Sequence, residues 1–463
     1  MNFSDCPWLE WALLTSILGF IVVWFVRASM PWAVAACAAT LLLTFFEWLC
    51  HQADWVQTPG TRQVTWLAVD TFSAPLLPLV ALLHLLTALA TPTSVGTRGF
   101  FARLMASLAF QLATFGCNEP WLLILFLAVG TLPPLMELLA RQRDLPLEPL
   151  RWLHSRSFAI HMALFIFLLA TGYAVVQAGR PIIGGAMLLT AILIRCGTVP
   201  VHTWVSILFE SGRYGTAILF IAPLVGVYAA VRLVLPTADL FVLRGLGAFS
   251  LLTAIASAGL AVVQRDTRRM FAHLLLSYST LILIGLEIRS EVGLTGAFAL
   301  WVSVSLSLTG LGLVLQAVEA RFGRLTLGEY RGLYDQSPAL AAGFLLMGLG
   351  SVGFPGTLGF ISGELLFDGA VTENPLIGLV VVAAGLLNSI TVLRVYFLLF
   401  TGTRHRSAVP LGITPRERLV VAVLSLLILG GGLYPQPGIV SRYRAARDVL
   451  ATRPDRDRPT NAD

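Results

Sequence analysis

The chain contains no lysine. Its positive charge rests on 31 arginines, which stay protonated in practice, so no amine side chain here can release and regain a proton. Charge of either sign is scarce: 12% of the 463 residues are charged and 57% are hydrophobic. With a mean hydropathy of +0.81 this is not a soluble domain. The arginines sit beside apolar runs, which argues against nucleic-acid binding. The five cysteines show neither Cys-x-x-Cys nor metal-ligand spacing, so a disulfide framework, an iron–sulfur cluster or a zinc site in this chain is not expected. A phosphate-binding glycine loop, a dinucleotide fingerprint and a supported Ser/His/Asp pattern are all missing. The chain is therefore expected to have no catalytic site, no metal site and no cofactor of its own.

What the sequence does have is apolar runs near bilayer length. Fourteen can be placed, at about 8–26, 31–50, 67–90, 99–117, 120–140, 157–178, 182–210, 214–234, 240–264, 270–288, 293–318, 339–371, 376–401 and 416–434. The expected fold is an all-α polytopic membrane protein. The first run follows Asp5 without a basic segment and reads as a true span, not a signal peptide. Arginines concentrate in the loops after odd-numbered spans, and the even loops carry only Arg62, Arg180 and Arg289. That bias places the N-terminus outside a cell (plasma) membrane. The tail resists it: Arg442, Arg444 and Arg447 would then lie outside, unless the tail turns back or docks. Its end, Thr452–Asp463, is Arg/Asp/Pro-rich and reads as disordered.

Two runs, 182–210 and 339–371, are too long for one straight helix. The first breaks at Pro200, with Gly197 before it and Glu210 after it. The second breaks at Gly353-Phe-Pro355-Gly356, with Glu364 after it. Pro200 and Pro355 lie 155 residues and five spans apart, so the two copies have opposite orientations. Inverted repeats with ion sites at broken helices carry this signature. The expected units are residues 1–98 (three helices), 99–236 and 237–401 (the two five-helix repeats), and 402–463 (the last helix and basic tail).

Ionisable groups at membrane depth are costly and by default mark an ion path or a structural pair. Arg195 precedes the first break, and His202 and Glu210 follow it. His273 lies in the tenth span. Glu364 and Asp368 are four residues apart and share one helix face. If both were buried, at least one carboxyl would be poised to hold a proton. The competing reading pairs them with an arginine such as Arg394. Arg103, near a span end, reads as snorkelling. His84 and His161 read as hydrogen-bonded core residues. Asp266-Thr-Arg-Arg269 reads as a charged cytoplasmic turn.

Roughly residues 70–400 resemble the antiporter-like membrane subunits of respiratory complex I, Mrp cation/proton antiporters and membrane-bound hydrogenases. Arg195-Cys-Gly-Thr-Val-Pro-Val-His-Thr-Trp204 resembles the family's Lys-x-x-x-x-Pro-x-His-Thr-Trp broken helix. Val69-Asp-Thr-Phe-Ser73, Asp266-Thr-Arg-Arg-Met-Phe-Ala272 and Gly353-Phe-Pro-Gly-Thr…Glu364 resemble three further family motifs. The resemblance implies fourteen helices with two inverted five-helix repeats. It also exposes departures. The family's seventh-helix lysine is Arg195, and its fifth-helix Trp-Glu falls on Ala128-Val129. The eighth helix has no lysine, and the eleventh-helix histidines fall on Trp301, Ser303, Ser305, Ser307 and Thr309. Among divergent relatives the chain is most similar to the membrane subunit of DAB-type inorganic-carbon pumps. That implies a partner with a carbonic-anhydrase-like zinc site, the zinc belonging to the partner.

Three readings follow. The chain is an ion-translocating subunit using Arg195, His202, Glu210, His273, Glu364 and Asp368; or it serves a redox complex beside redox-complex subunits; or it is a non-translocating scaffold.

Overall fold

The computed structural model describes residues 6–52, 66–93, 95–144, 151–402 and 412–453. Among these, helix dominates and no strand forms. The helices are α1 (Trp8–Phe25), α2 (Ser29–Gln52), α3 (Leu76–Ala90), α4 (Arg98–Gly116), α5 (Pro120–Val129), α6 (Leu132–Asp144) and α7 (Arg151–Gln177). Next come α8 (Pro181–Cys196), α9 (Thr203–Ser211), α10 (Tyr214–Ile221) and α11 (Val225–Ala229), which runs into a π-helical turn at Ala230–Val234. The rest are α12 (Leu240–Val263), α13 (Thr267–Glu287), α14 (Glu291–Phe322), α15 (Pro338–Ser351), α16 (Leu358–Glu373), α17 (Pro375–Phe400), α18 (Pro415–Leu433) and α19 (Gln436–Ala451).

Every apolar run read as a span contains helix. Among the described residues nine helical runs are long and apolar enough to cross a membrane, and the bent pair α18–α19 counts as a tenth. This is a multi-pass membrane protein. The criterion finds fewer spans than the sequence pattern: α3, α8 and α15 are too short to meet it, and the 19-residue α4, which carries Arg98 and Arg103, does not meet it either.

The α10–α11 run, α13 and α14 are almost wholly buried, whereas α1, α2 and α7 turn most of their length to the surroundings. Helices in lipid associate through close packing of small residues, not through expulsion of water. The contact of α14 with α16 is of this kind. A Cβ on Gly296 would stand 2.3 Å from the Leu366 amide, and one on Gly369 would stand 2.2 Å from the Gly293 Cα. This brings α16, with its carboxylates, against the central column.

Both expected breaks are present and share a geometry. α8 ends at Gly197 with φ +70°, and the chain returns to helix at Thr203. α15 ends before Gly353 with φ +77°, and helix resumes at Leu358 after Gly356 with φ +88°. Only glycine tolerates these left-handed angles at little cost. A third break falls in the eighth span, expected to run unbroken over 214–234. Helix stops at Ile221, Leu224 takes φ +52°, and α11 begins at Val225. Pro223 is the cause, since it has no amide to give to the Leu219 carbonyl.

The basic tail docks on the chain itself. It bends 77° from α18 into α19. Arg442 is buried and donates to the carbonyls of Thr71 at 3.0 Å and Phe72 at 3.2 Å. Arg453 donates to the Leu286 carbonyl at 2.5 Å. Thr71 donates to Asp448 at 2.6 Å, and Tyr443 to Glu291. These arginines therefore act on backbone near the start of α3 and the α13–α14 turn. Arg453 lies inside the segment expected to be disordered, and here it is ordered; residues 454–463 lie outside the described residues.

At the second break Gly359 touches the end of α15: a Cβ there would stand 2.2 Å from the Gly350 carbonyl oxygen. Gly359→Ala should cost about 1–3 kcal/mol through overpacking. It should lower the unfolding midpoint in detergent, while Gly363→Ala, where a Cβ meets nothing within 4 Å, should leave it near the parent value.

Candidate functional site

At membrane depth a carbonyl freed by a broken helix needs a donor from the protein. The third break frees four. Leu219 accepts from Gln111 of α4 at 2.7 Å, and Phe220 from Arg195 of α8 at 3.0 Å. Ala222 accepts from Ser305 at 2.7 Å and Pro223 from the Trp301 indole at 3.1 Å, both on α14. Arg195 also lies over the Phe220 ring, 3.9 Å from its centre. It is thus a buried staple across the break, and among the described residues no carboxylate pairs with it. Arg195, Trp301 and Ser305 are all positions where the chain departs from the family pattern, and they converge on one irregular segment.

The first break is closed from within. Gly197 and Thr198 donate their amides to Ile194 and Leu193 at 3.1 and 2.9 Å. The Trp204 indole reaches back to Ile194 at 2.9 Å, tying the second half-helix to the first. Thr253 of α12 receives the Val199 amide at 3.0 Å. His202 then stands at the start of α9 with its ring centre 6.0 Å from that of His273. The two histidines expected to serve one path are neighbours, and each has a buried Nδ1 without a hydrogen-bond partner.

Glu210 is placed differently. It lies at the end of α9 and pairs with Arg269, whose side chain is 55% exposed. The turn Asp266–Arg269 gathers the same end of the bundle. Asp266 caps α13 by accepting from the Arg268 and Arg269 amides at 3.0 and 3.2 Å, and pairs with Arg324 at 2.9 Å. Arg268 grips Glu319 at 2.7 Å and the carbonyls of Phe209 and Gly212, both at 3.1 Å. Glu210 therefore belongs to a charged knot at the bundle end and not to the interior.

Glu364 and Asp368 lie on one face of α16, as their spacing requires, but both are exposed on this chain, so the premise of burial does not hold. The Arg394 pairing does not form either, because Arg394 donates to the carbonyls of Val262 at 2.7 Å and Gln264 at 3.2 Å. Glu364 opens onto a groove of about 270 Å³ beside the second break, lined also by Tyr278, Ser351, Gly353, Phe360 and Phe367. Pro355 and Gly356 shape the adjoining turn, where Phe354 donates its amide to Leu349 at 3.0 Å.

Two ion-paired sites escaped a role in the sequence reading. Glu137 is fully buried between Arg103 at 2.5 Å and Arg213 at 3.2 Å, so Arg103 is paired and not snorkelling. A lone acid in the apolar run after Pro133-Pro134 was the available signal. Arg232 grips Asp70 through two bonds of 2.6 and 2.8 Å and donates to the Tyr228 hydroxyl at 3.0 Å. His84 and His161 bond to the carbonyls of Val80 and Ser157 at 2.9 and 2.8 Å within their own helices. Among the described residues no three His, Cys, Asp or Glu side chains stand together as a metal would require.

Residues 158–388 match the protein family described as the NADH:quinone oxidoreductase/Mrp antiporter transmembrane family. NAD(P)H-quinone oxidoreductase chain 4 from Synechococcus sp. strain WH7803 is 25% identical over 97% of this chain and 90% of its own length. Chain 4 2 from strain JA-3-3Ab is 26% identical over 87% and 80%. In fold the chain is similar to one in respiratory complex I from Thermus thermophilus, with TM-score 0.85, 20% identity, and 96% of this chain and 99% of that one covered. A chain of the Mrp complex from Dietzia sp. gives TM-score 0.84, 19% identity, 97% and 98%. The chain belongs to the antiporter-like membrane-subunit family of complex I and the Mrp antiporters.

If Arg195 is a staple, Arg195→Met should cost about 1.5–3 kcal/mol by leaving the Phe220 carbonyl unbonded. Arg195→Lys should recover part of that loss, read as the unfolding midpoint in detergent.

Proposed function

We propose that this chain is the ion-translocating membrane subunit of a hetero-oligomeric, energy-coupled complex in the plasma membrane, with its N-terminus outside. Its relatives' names place them in quinone oxidoreductase, complex I and Mrp assemblies, which supports a multi-subunit setting. The ion is a proton or another cation, and the complex is an inorganic-carbon uptake pump taking carbon dioxide or bicarbonate. A partner with a carbonic-anhydrase-like zinc site would carry the carbon chemistry.

The observation that carries the translocation reading is Glu364 opening onto a groove beside the second break, with His202, next to the first break, close to His273. Carboxylates and imidazoles can take and pass a proton; a guanidinium cannot. In this reading Arg195 holds a fixed charge near the path while His202, His273 and Glu364 exchange protons. Asp368 sits one turn beyond Glu364 at the exposed end of the route. Glu210 holds the bundle end closed through Arg269. The Arg195 staple equally favours a second reading, a scaffold in which the first half no longer conducts. The relatives' names favour a third, a subunit of a redox complex.

Purification of the tagged chain in mild detergent, with mass spectrometry and zinc analysis, should bring down a large zinc-containing soluble-faced partner. Iron–sulfur or quinone-reducing partners would instead assign it to a redox complex. In the intact complex Glu364→Gln should reduce ion-coupled activity to background without loss of assembly. Unchanged activity would favour the scaffold.

A further inference from the structure

A guanidinium that meets no carboxylate is a fixed positive charge open to an outside anion. At the arginine-rich end of the bundle, Arg103, Arg213, Arg268, Arg269, Arg321 and Arg324 are all matched with carboxylates. Arg27, Arg98 and Arg416 are exposed there, and among the described residues no carboxylate pairs with any of them. Helix packing brings these three together. α1, α2 and α4 meet at Gly19, where a Cβ would stand 2.7 Å from both Ala36 and Met105. α1 and α4 run antiparallel, since Leu9 lies against Gly116 as Gly19 lies against Met105. From that meeting point eight residues along α1 lead to Arg27, six back along α2 lead to Met30, and seven back along α4 lead to Arg98. All three routes arrive at one end. The Met30 sulfur accepts from Arg416 at 3.0 Å, which adds the start of α18. Local structure does not account for these charges. Arg98 opens α4 and Arg416 lies in the first turn of α18, where the helix end is itself positive. The first turns of α2 and α4 hold no acid, and Glu417 of α18 is taken by its cap and by Arg321. The flanking side chains are apolar: Trp24, Phe25 and Trp32 are 54%, 76% and 52% exposed.

We infer that Arg27, Arg98 and Arg416 form a binding site for the headgroup of an anionic phospholipid whose acyl chains lie along α1 and α2. Guanidinium forks match phosphate oxygens in pairs, and basic pockets between membrane helices hold such headgroups. The occupant is a lipid and not free phosphate because α1 and α2 turn most of their length outward beside the arginines. Exposed tryptophans at such a level mark the boundary between headgroups and hydrocarbon. The occupied site ties together the α1–α2 turn, the start of α4 and the start of α18, and so links the first helices of the chain to its last span. It does not depend on whether the chain moves ions.

The test uses the full chain in mild detergent, titrated with phosphatidylglycerol or with phosphatidylcholine, bound lipid being counted by native mass spectrometry. Phosphatidylglycerol should bind more tightly by about tenfold or more. Arg27→Gln, Arg98→Gln and Arg416→Gln should each weaken it about fivefold, and the three together about a hundredfold. Arg418 lies two residues on and turns away from Arg416, so Arg418→Gln should leave the affinity at the parent value. Arg27 stands in the exposed turn after α1, so Arg27→Gln decides the matter if the triple variant does not fold. Equal binding of the two lipids, unchanged affinity in Arg27→Gln, or an equal loss in Arg418→Gln would overturn the site. Displacement of phosphatidylglycerol by inorganic phosphate at a similar concentration would assign the three arginines to a free anion and overturn the lipid.

Discussion

A backbone carbonyl cannot be left unbonded in a membrane interior, and the centre of this protein is arranged around that constraint. Three helices are interrupted, at Gly197–His202, at Ala222–Leu224 and at Val352–Thr357. The second interruption is satisfied almost entirely by side chains: Gln111, Arg195, Ser305 and Trp301 each take one freed carbonyl. Those four donors come from α4, α8 and α14, so the irregular segment also ties the two halves of the chain together. Three residues at positions that depart from the family pattern, Arg195, Trp301 and Ser305, are in three-dimensional terms donors of this junction.

The remaining charge is sorted by depth. Arg268, Arg269 and Arg324 meet Glu319, Glu210 and Asp266 at one end, closing α9, α13 and α14 together. Near the start of α3 and the end of α13, Arg442 and Arg453 of the tail helix bond to backbone carbonyls. Exposed pairs at such ends contribute little energy each, but they fix which ends meet. Between the ends, His202, His273, Asn388 and Tyr278 each keep one buried polar atom without a hydrogen-bond partner. Fixed charges hold the frame.

Glu364 and Asp368 stand exposed on α16. Carboxylates on an outward face of a membrane helix are expensive against lipid.

The sequence by itself determined the membrane class, the helical runs and two of the three breaks. Hydropathy, proline and glycine act locally, and their consequences follow along one helix. The pairing of His202 with His273 was legible only as a pair of candidates, because the chain must fold before α9 meets α13. Tertiary structure alone decided that Arg195 bonds to Phe220, that Glu210 serves a salt bridge with Arg269, and that Arg394 turns to α12 instead of Glu364. It also decided that Glu137 lies buried between two arginines contributed by α4 and the start of α10. A side chain's partner depends on which helix packs beside it, and that packing is set by small-residue contacts such as Gly296 against Leu366. Hydropathy measures burial along a run; it carries no information about the neighbour across the interface.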